Sequence, residues 1–204
     1  MREPTPSSAW EDAARYDRWY DTPLGAFVLA HELAAVQHLV TPQAGELVLE
    51  VGCGTGRFSL ALAASGATVV GVDAFASAIT YAAQHTPQGA HVRYVVADTE
   101  QLPFADDAFD VVVCILALEF IAHPPTAVAE LRRVLKPSGR LVIGVLGRWS
   151  PWNLWRRLRG AMGHPLWKHA HFFRSVDITN LLQDADFQDV HHVSAIFLPP
   201  TPAN

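Results

Sequence analysis

A chain of 204 residues, half of them hydrophobic and 17% charged, is long enough to bury a sizeable core and does not have the composition of a disordered chain. Its formal net charge of −5 gives no global field drawing it to nucleic acid or anionic lipid. Its only cysteines, Cys53 and Cys114, cannot make a disulfide framework. No signal-peptide core opens the chain, and no apolar run reaches the ~18–20 residues of a membrane span; the expectation is a cytoplasmic protein.

Residues 1–8 carry prolines and serines and are expected to fray. Helices are predicted over 9–20, which holds Trp10, Ala13, Ala14 and Asp17, and over 24–40, where Leu24, Phe27, Val28, Leu33, Val36 and Leu39 form an apolar stripe. Strands and helices then alternate. Strands are predicted at 46–51, 67–72, 91–96, 110–116 and 140–146, and helices at 57–64, 76–84 and 126–135. The last helix should stop at Lys136-Pro137-Ser138-Gly139, where proline cannot continue it. The strands are nearly unbroken Val/Ile/Leu runs, as in a parallel sheet covered on both faces. Alternation with short connections predicts an α/β, Rossmann-like open sheet, mostly parallel, with helices on both faces. Ligands of such sheets bind outside the carboxyl ends of the strands.

The strand ends carry suitable groups. The first runs into Glu50-Val51-Gly52-Cys53-Gly54-Thr55-Gly56 and then a helix. Glycines at alternate positions allow a sharp turn and a close backbone approach to a ligand. The same glycines are also compatible with nothing more than a tight turn. Asp73 ends the second strand, 21 residues after Gly52, where a carboxylate can accept hydrogen bonds from a ribose diol. Asp98-Thr99 end the third, where a carboxylate can take the amino group of adenine or merely cap a turn. Cys114-Ile115-Leu116 end the fourth and offer an apolar face to a purine.

Taken together, ELVLEVGCGTG, VVGVDAF, VRYVVADTEQLPFADDAFDVVV and ELRRVLKPSGRLVIG resemble the class I S-adenosylmethionine-dependent methyltransferases, most of all the group that includes the ubiquinone and menaquinone biosynthesis methyltransferases. The resemblance is dense over about 46–146. It implies S-adenosylmethionine as cofactor, S-adenosylhomocysteine as product and no metal. It implies Gly52, Cys53, Gly54 and Gly56 at the methionine and ribose, with Glu50 orienting the loop. It further implies Asp73 on the ribose hydroxyls, Ala74, Asp98 and Thr99 at the adenine, and Ile115 against the cofactor. Both cysteines read as small buried residues.

The flanks resemble the group more loosely. ARYDRWYDTPLG is similar to an N-terminal segment that covers the cofactor, so Tyr16, Trp19 and Tyr20 either line the methionine end or simply pack as an amphipathic helix. Several positions depart from the pattern: Phe75 after the Asp, Phe120 in place of His, Ser138 in place of Gly, and Asp186 in place of the Gly that would end a helix without strain. Residues 188–197 read as the first strand of a C-terminal antiparallel hairpin whose second strand is missing. That predicts a six-stranded sheet with an exposed edge, or an edge covered by a second copy in a homodimer.

The organisation expected is an N-terminal helical cap, 1–45, on a cofactor-binding domain, 46–204, with a helical insertion at about 147–174. The insertion holds four of the six tryptophans. Ser150 can cap its helix, Pro151 fits the first turn and Gly160 can end it. Trp149 and Trp152 are candidates to cap substrate or cofactor. The segment reads as packing on the sheet, as a substrate lid, or as a contact with a membrane surface. Glu119 and His123 are candidate bases. The histidines do not fall at metal-ligand spacing, so no metal site is expected.

Methyl transfer from a sulfonium is an in-line displacement in which the protein chiefly orients and excludes water. The function expected is therefore methyl transfer to a small-molecule acceptor. Alternatives remain. One is a non-catalytic cofactor-binding or scaffold protein. Another is a nicotinamide-dependent oxidoreductase, against which Arg57 stands where G-x-G-x-x-G needs a small residue. A nucleic-acid substrate is disfavoured by the acidic balance.

Overall fold

The computed structural model describes residues 13–164 and 167–194. Five strands, β1 (Leu47–Val51), β2 (Thr68–Asp73), β3 (Val92–Val96), β4 (Phe109–Ile115) and β5 (Leu135–Gly144), pair in the order β3-β2-β1-β4-β5. Every pairing is parallel. The chain begins in the middle of the sheet, runs outward to β3, then crosses to β4 on the other side of β1. The crevice between β1 and β4 is thus the switch point of a Rossmann-like fold.

Alternation along the strands supplies two cores. Leu49, Val51, Val72, Val112 and Cys114 point to one face, against Val128 and Leu131 of α5 (Pro124–Val134) and Ile178 and Leu182 of α7 (Ser175–Gln183). Val48, Val69, Val111 and Val113 point to the other, against Val36 and Val40 of α2 (Pro23–Val40) and Phe58 and Leu62 of α3 (Arg57–Ala63). Both faces being covered is why these strands read as unbroken apolar runs.

The N-terminal cap is α1 (Ala13–Trp19) followed by α2; Trp10 lies outside the described residues. Thr22 caps α2, its hydroxyl accepting from Gly25 N at 3.0 Å, and Pro23 occupies the first turn. A side chain on Gly25 would meet the Trp19 carbonyl at 2.1 Å, so the α1–α2 corner is possible only with glycine there. At 18 residues and mean hydropathy 1.2, α2 is long and apolar enough to cross a membrane, the length the sequence reading did not find. Here it packs by Val36 and Val40 on the sheet.

Three boundaries differ from expectation. The helix predicted at 126–135 is α5, which stops at Val134, and β5 starts at once with Leu135 opposite Phe109. Its next pairs place Arg140 opposite Val111, so Lys136-Pro137-Ser138-Gly139 bulge out of the strand. Gly160 does not end the insertion helix α6 (Pro151–Ala161). The termination lies beyond it, at Gly163 with φ +86, where His164 N bonds Arg159 O and Gly163 N bonds Gly160 O in a Schellman arrangement.

The strand expected at 188–197 does not form at 188–194, and 195–197 lie outside the described residues. The sheet therefore has five strands among the described residues, not six. Asp186 (φ 62) and Asp189 (φ 53) both take the left-handed conformation, which breaks an extended run, and His192 Nε2 lies 2.8 Å from the Thr179 hydroxyl of α7. The segment follows α7, and Phe187 and Val190 add to the core beneath.

Candidate active site

The glycine loop after β1 is stitched to β2: Gly52 N and Cys53 N both donate to Val72 O, at 2.8 and 2.9 Å. Asp73, at the end of β2, completes the stitch. One carboxylate oxygen accepts from Gly54 N and the other from Phe75 N, each at 2.9 Å. Burial raises its pKa, and these N–H groups oppose the rise. Each oxygen keeps a further lone pair for a ligand hydroxyl. Gly52 (φ +72) cannot be replaced, because a Cβ would stand 2.2 Å from that of Ala117. Gly54 (φ +52) is different: a Cβ there would meet nothing within 4 Å, so the loop opens onto free space beside Asp73.

Glu50 is buried and receives a hydrogen bond from Ser59 of α3. Burial pushes its carboxyl up to about 8. Its contact is thus with α3 behind the loop. Cys53 and Cys114 are buried thiols, as expected. Asp98 is exposed and accepts from Glu100 N at 2.9 Å, holding a turn that closes with Gln101 N on Asp98 O at 3.0 Å. Thr99 follows it, Ala74 is exposed after Asp73, and Ile115 ends β4 opposite Gly144. The loop beyond Asp98 is clamped from α5. Arg133 donates to Leu102 O (3.0 Å) and Phe104 O (2.8 Å), and Glu130 accepts from Leu102 N (2.8 Å). The Leu102-Pro103-Phe104 motif therefore fixes the approach to the third strand end.

The cap is latched onto the glycine loop. Asp17 of α1 accepts from the Thr55 hydroxyl (2.8 Å), from Arg57 Nε and Nη2 (2.6 and 2.7 Å) and from the Tyr81 hydroxyl of α4 (Ala76–His85) at 3.1 Å. Burial pushes the Asp17 carboxyl up, but these donors outweigh it and hold it below the usual range. Arg57 also lies over the Tyr20 ring, 5.1 Å from its centre. The residue that spoiled the dinucleotide pattern is the anchor of the cap.

Tyr16 and Tyr20 share a 3.0 Å hydroxyl contact, Tyr20 being buried and Trp19 partly exposed. Near them the interior holds charge. Glu119, fully buried beyond β4, accepts from Leu146 N through Oε1, while its Oε2 has no hydrogen-bond partner among the described residues. Glu32 of α2 likewise has a buried Oε2 with no hydrogen-bond partner among the described residues. Burial pushes both carboxyls up to about 7. Arg156 of α6 lies within electrostatic reach of Tyr16, Glu32 and Glu119, and burial lowers its pKa. The structure thus gathers Tyr16, Tyr20, Glu119 and two groups the sequence reading passed over, Glu32 and Arg156. Glu32 left a signal: it is the one acid in the apolar stretch 23–40. His123 is not brought in; it is 72% exposed and bonded to Glu100 at 2.8 Å. Trp149, 73% exposed, and Trp152, 39% exposed, stand out from the body, with Arg148 and Arg156 over their rings.

Known proteins match this arrangement. A methyltransferase domain family matches residues 49–143. An uncharacterized protein of Mycobacterium tuberculosis is 36% identical over 199 residues, 98% of this chain but 66% of that protein, so the chain spans just under two thirds of that relative's length. An uncharacterized methyltransferase of Synechocystis is 35% identical over 159 residues, covering 77% of this chain and 73% of the relative. Among solved structures, a methyltransferase of Thermotoga maritima, named as S-adenosylmethionine-dependent and a possible histamine N-methyltransferase, superposes with TM-score 0.72 at 26% identity, over 88% of this chain and 80% of that one. With the parallel sheet, the switch-point crevice and the Asp73-stitched glycine loop, these likenesses decide the family: the chain belongs to the class I S-adenosylmethionine-dependent methyltransferases.

Proposed function

We propose that this chain transfers the methyl group of S-adenosylmethionine to a small-molecule acceptor by in-line displacement. The observation that carries the reading is Asp73, its carboxylate held by two backbone N–H groups beside the open Gly54 turn. The residues fit the cofactor: Gly52, Cys53, Gly54 and Gly56 hold the methionine and ribose, and Asp73 takes the ribose hydroxyls. Ala74, Asp98 and Thr99 take the adenine, and Ile115 lies along it. Bound S-adenosylmethionine supplies a methyl group already activated by the sulfonium charge.

The acceptor sits among Tyr16, Tyr20, Glu32, Glu119 and Arg156. Glu119 orients the acceptor and takes its proton where one must leave; a carboxyl raised to about 7 can hold that proton near neutral pH. The cap and the tyrosines exclude water from the transfer.

Calorimetric titration with S-adenosylhomocysteine, with NADH as control, tests the reading. Micromolar affinity, about −8 kcal/mol, is expected for the former alone, weakened about tenfold or more in Asp73→Ala. A folded protein that binds neither would favour the scaffold alternative; NADH binding alone would favour the oxidoreductase.

A further inference from the structure

Helix α6 is built inside out. Its inward positions are Asn153, Arg156 and Gly160, at the i, i+3, i+7 spacing of one helical face. Asn153 is buried and donates to Gly147 O at 2.8 Å. Arg156 lies over the rings of Trp152 and Trp167, at 5.6 and 4.9 Å. Gly160 is pressed on Trp167, whose carbonyl a Cβ would meet at 2.4 Å. The outward face carries Leu154 (57% exposed), Trp155 (49%), Leu158 (57%) and Met162 (71%). A soluble helix normally points such a stripe at the core. Trp149, just before the helix, extends the apolar surface. Of the three readings of this segment, packing on the body describes Trp167, against which Gly160 is pressed, but not Trp149 and Trp155, which stand exposed.

Charge says what this face meets. Between Glu130 and Asp177 the sequence has no acidic residue and ten of its 15 lysines and arginines. Arg133, Lys136, Arg140 and Arg174 pair with carboxylates, while Arg148, Arg157, Arg159 and Lys168, on and beside α6, have no carboxylate within ion-pair distance among the described residues. On a chain of net charge −5 this is a segregated basic stretch. Arg157 and Arg159 flank the apolar stripe, Arg159 standing over the Trp155 ring at 4.8 Å. Beside them Arg148, Arg157 and His171 line an open hollow of about 460 Å³ walled by Phe172 and Phe173. The buried Nε of Arg148 has no acceptor among the described residues. The acid in the hollow, Asp177, is already engaged by Arg174 at 2.7 Å.

We propose that α6 docks this chain on an anionic lipid bilayer, the leucine, tryptophan and methionine side chains entering the interface and the arginines meeting lipid phosphates. An apolar stripe bordered by arginines is the form of helix that lies in the plane of a membrane surface. The inward side of the same helix carries Arg156 toward Glu32 and Glu119, so a docked protein opens its acceptor end to the lipid. This last clause rests on the proposed methyl transfer; the docking itself does not.

The test is co-sedimentation of the full chain with phosphatidylcholine vesicles made with or without phosphatidylglycerol, with tryptophan emission read in parallel. Binding with a blue shift is expected on the anionic vesicles and should weaken with salt. W155S/L158S, at exposed positions, and R157E/R159E, at half-buried ones, should each lose about tenfold or more in vesicle affinity while retaining S-adenosylhomocysteine binding, the first pair with the wild-type melting temperature. No binding to anionic vesicles at low salt would overturn the proposal, as would unchanged binding by both variants. A concentration-dependent dimer in light scattering that W155S/L158S abolishes would overturn it too, assigning the face to a second copy. Since cofactor binding is measured separately, loss of vesicle binding and failure of the methyltransferase reading are distinct results.

Discussion

Asp186 holds a helix C-terminus that glycine would hold with less strain. Its φ of 62° lies in the left-handed region, and the α7 terminus is a Schellman arrangement, Phe187 N bonding Leu182 O and Asp186 N bonding Gln183 O, both at 3.0 Å. An L side chain in that conformation costs about 1 kcal/mol, less for Asp than for most. Asp186→Gly is therefore expected to stabilise the chain by about 0.5–1 kcal/mol, raising the melting temperature by roughly 1–4 °C for a protein of this size. Calorimetric melting of the two proteins checks it; a lower Tm in the variant would show that the Asp side chain contributes more than its backbone strain takes away. Gly54 gives the opposite expectation. It has room for a side chain, but that room is where the ligand is proposed to lie, so Gly54→Ala should melt within a few degrees of wild type and lose about tenfold or more in S-adenosylhomocysteine affinity.

At the scale of elements, α1 is the piece most dependent on one contact. It has seven residues, too few to be stable alone, and Asp17 fastens it to Thr55, Arg57 and Tyr81. Asp17→Asn keeps the shape and removes the charge. It should raise amide exchange in 13–20 about tenfold with little change in β1, β2 and β4, as hydrogen-exchange mass spectrometry would resolve; uniform protection in the variant would show that packing of Tyr16 and Tyr20 suffices. This latch was not legible in the sequence, because its members stand 38 to 64 positions apart and Arg57 could be read only as a breach of a glycine pattern. The strands were legible for a physical reason: a parallel strand buried on both faces must be apolar throughout, as Val111, Val112, Val113 and Cys114 are. The glycines and Asp73 were legible because a strand end at a switch point constrains which residues can stand there. The alternation in QDVHHVSAIF suggested a strand, and local pattern could not reveal that Asp186 and Asp189 turn the backbone away. Nor could helical spacing in α6 tell which of its two faces looks inward.

For the whole molecule, buried acids set the response to pH. Burial raises Glu32, Glu50 and Glu119 to about 7, 8 and 7. An acid whose folded pKa is raised binds its proton more tightly folded than unfolded, so its contribution is complete below the unfolded value of about 4.3 and is lost as pH climbs through 7 and 8. Arg140, Lys136 and Arg133 instead hold Glu46, Asp110 and Glu130 below the usual carboxylate range, and their contributions disappear as pH falls through those lowered values. Both sets of acids change over near the unfolded carboxylate value, so the cofactor-free protein should be most stable at about pH 4–5 and should melt progressively lower toward pH 8. Scanning calorimetry at constant ionic strength checks this, and a Tm that rises from pH 6 to 8 would mean that water or an unrecognised cation reaches those carboxylates.

The strand order has a consequence for how such a protein diversifies. With β1 in the centre, the proposed nucleoside site falls at the ends of β1, β2 and β3, whereas the proposed acceptor site lies toward β4 and α6. The insertion is tied down at its two ends by the Gly147–Phe173 bridge and by Arg148 N on Phe173 O at 2.9 Å. Between those ties the insertion meets the body through His171 N on Glu119 O at 2.8 Å and through Arg156, contacts that involve neither the glycine loop nor Asp73. A lineage built on this chain inherits its donor and renegotiates its acceptor, and recombination across the 147–173 seam is the shortest route to a new specificity.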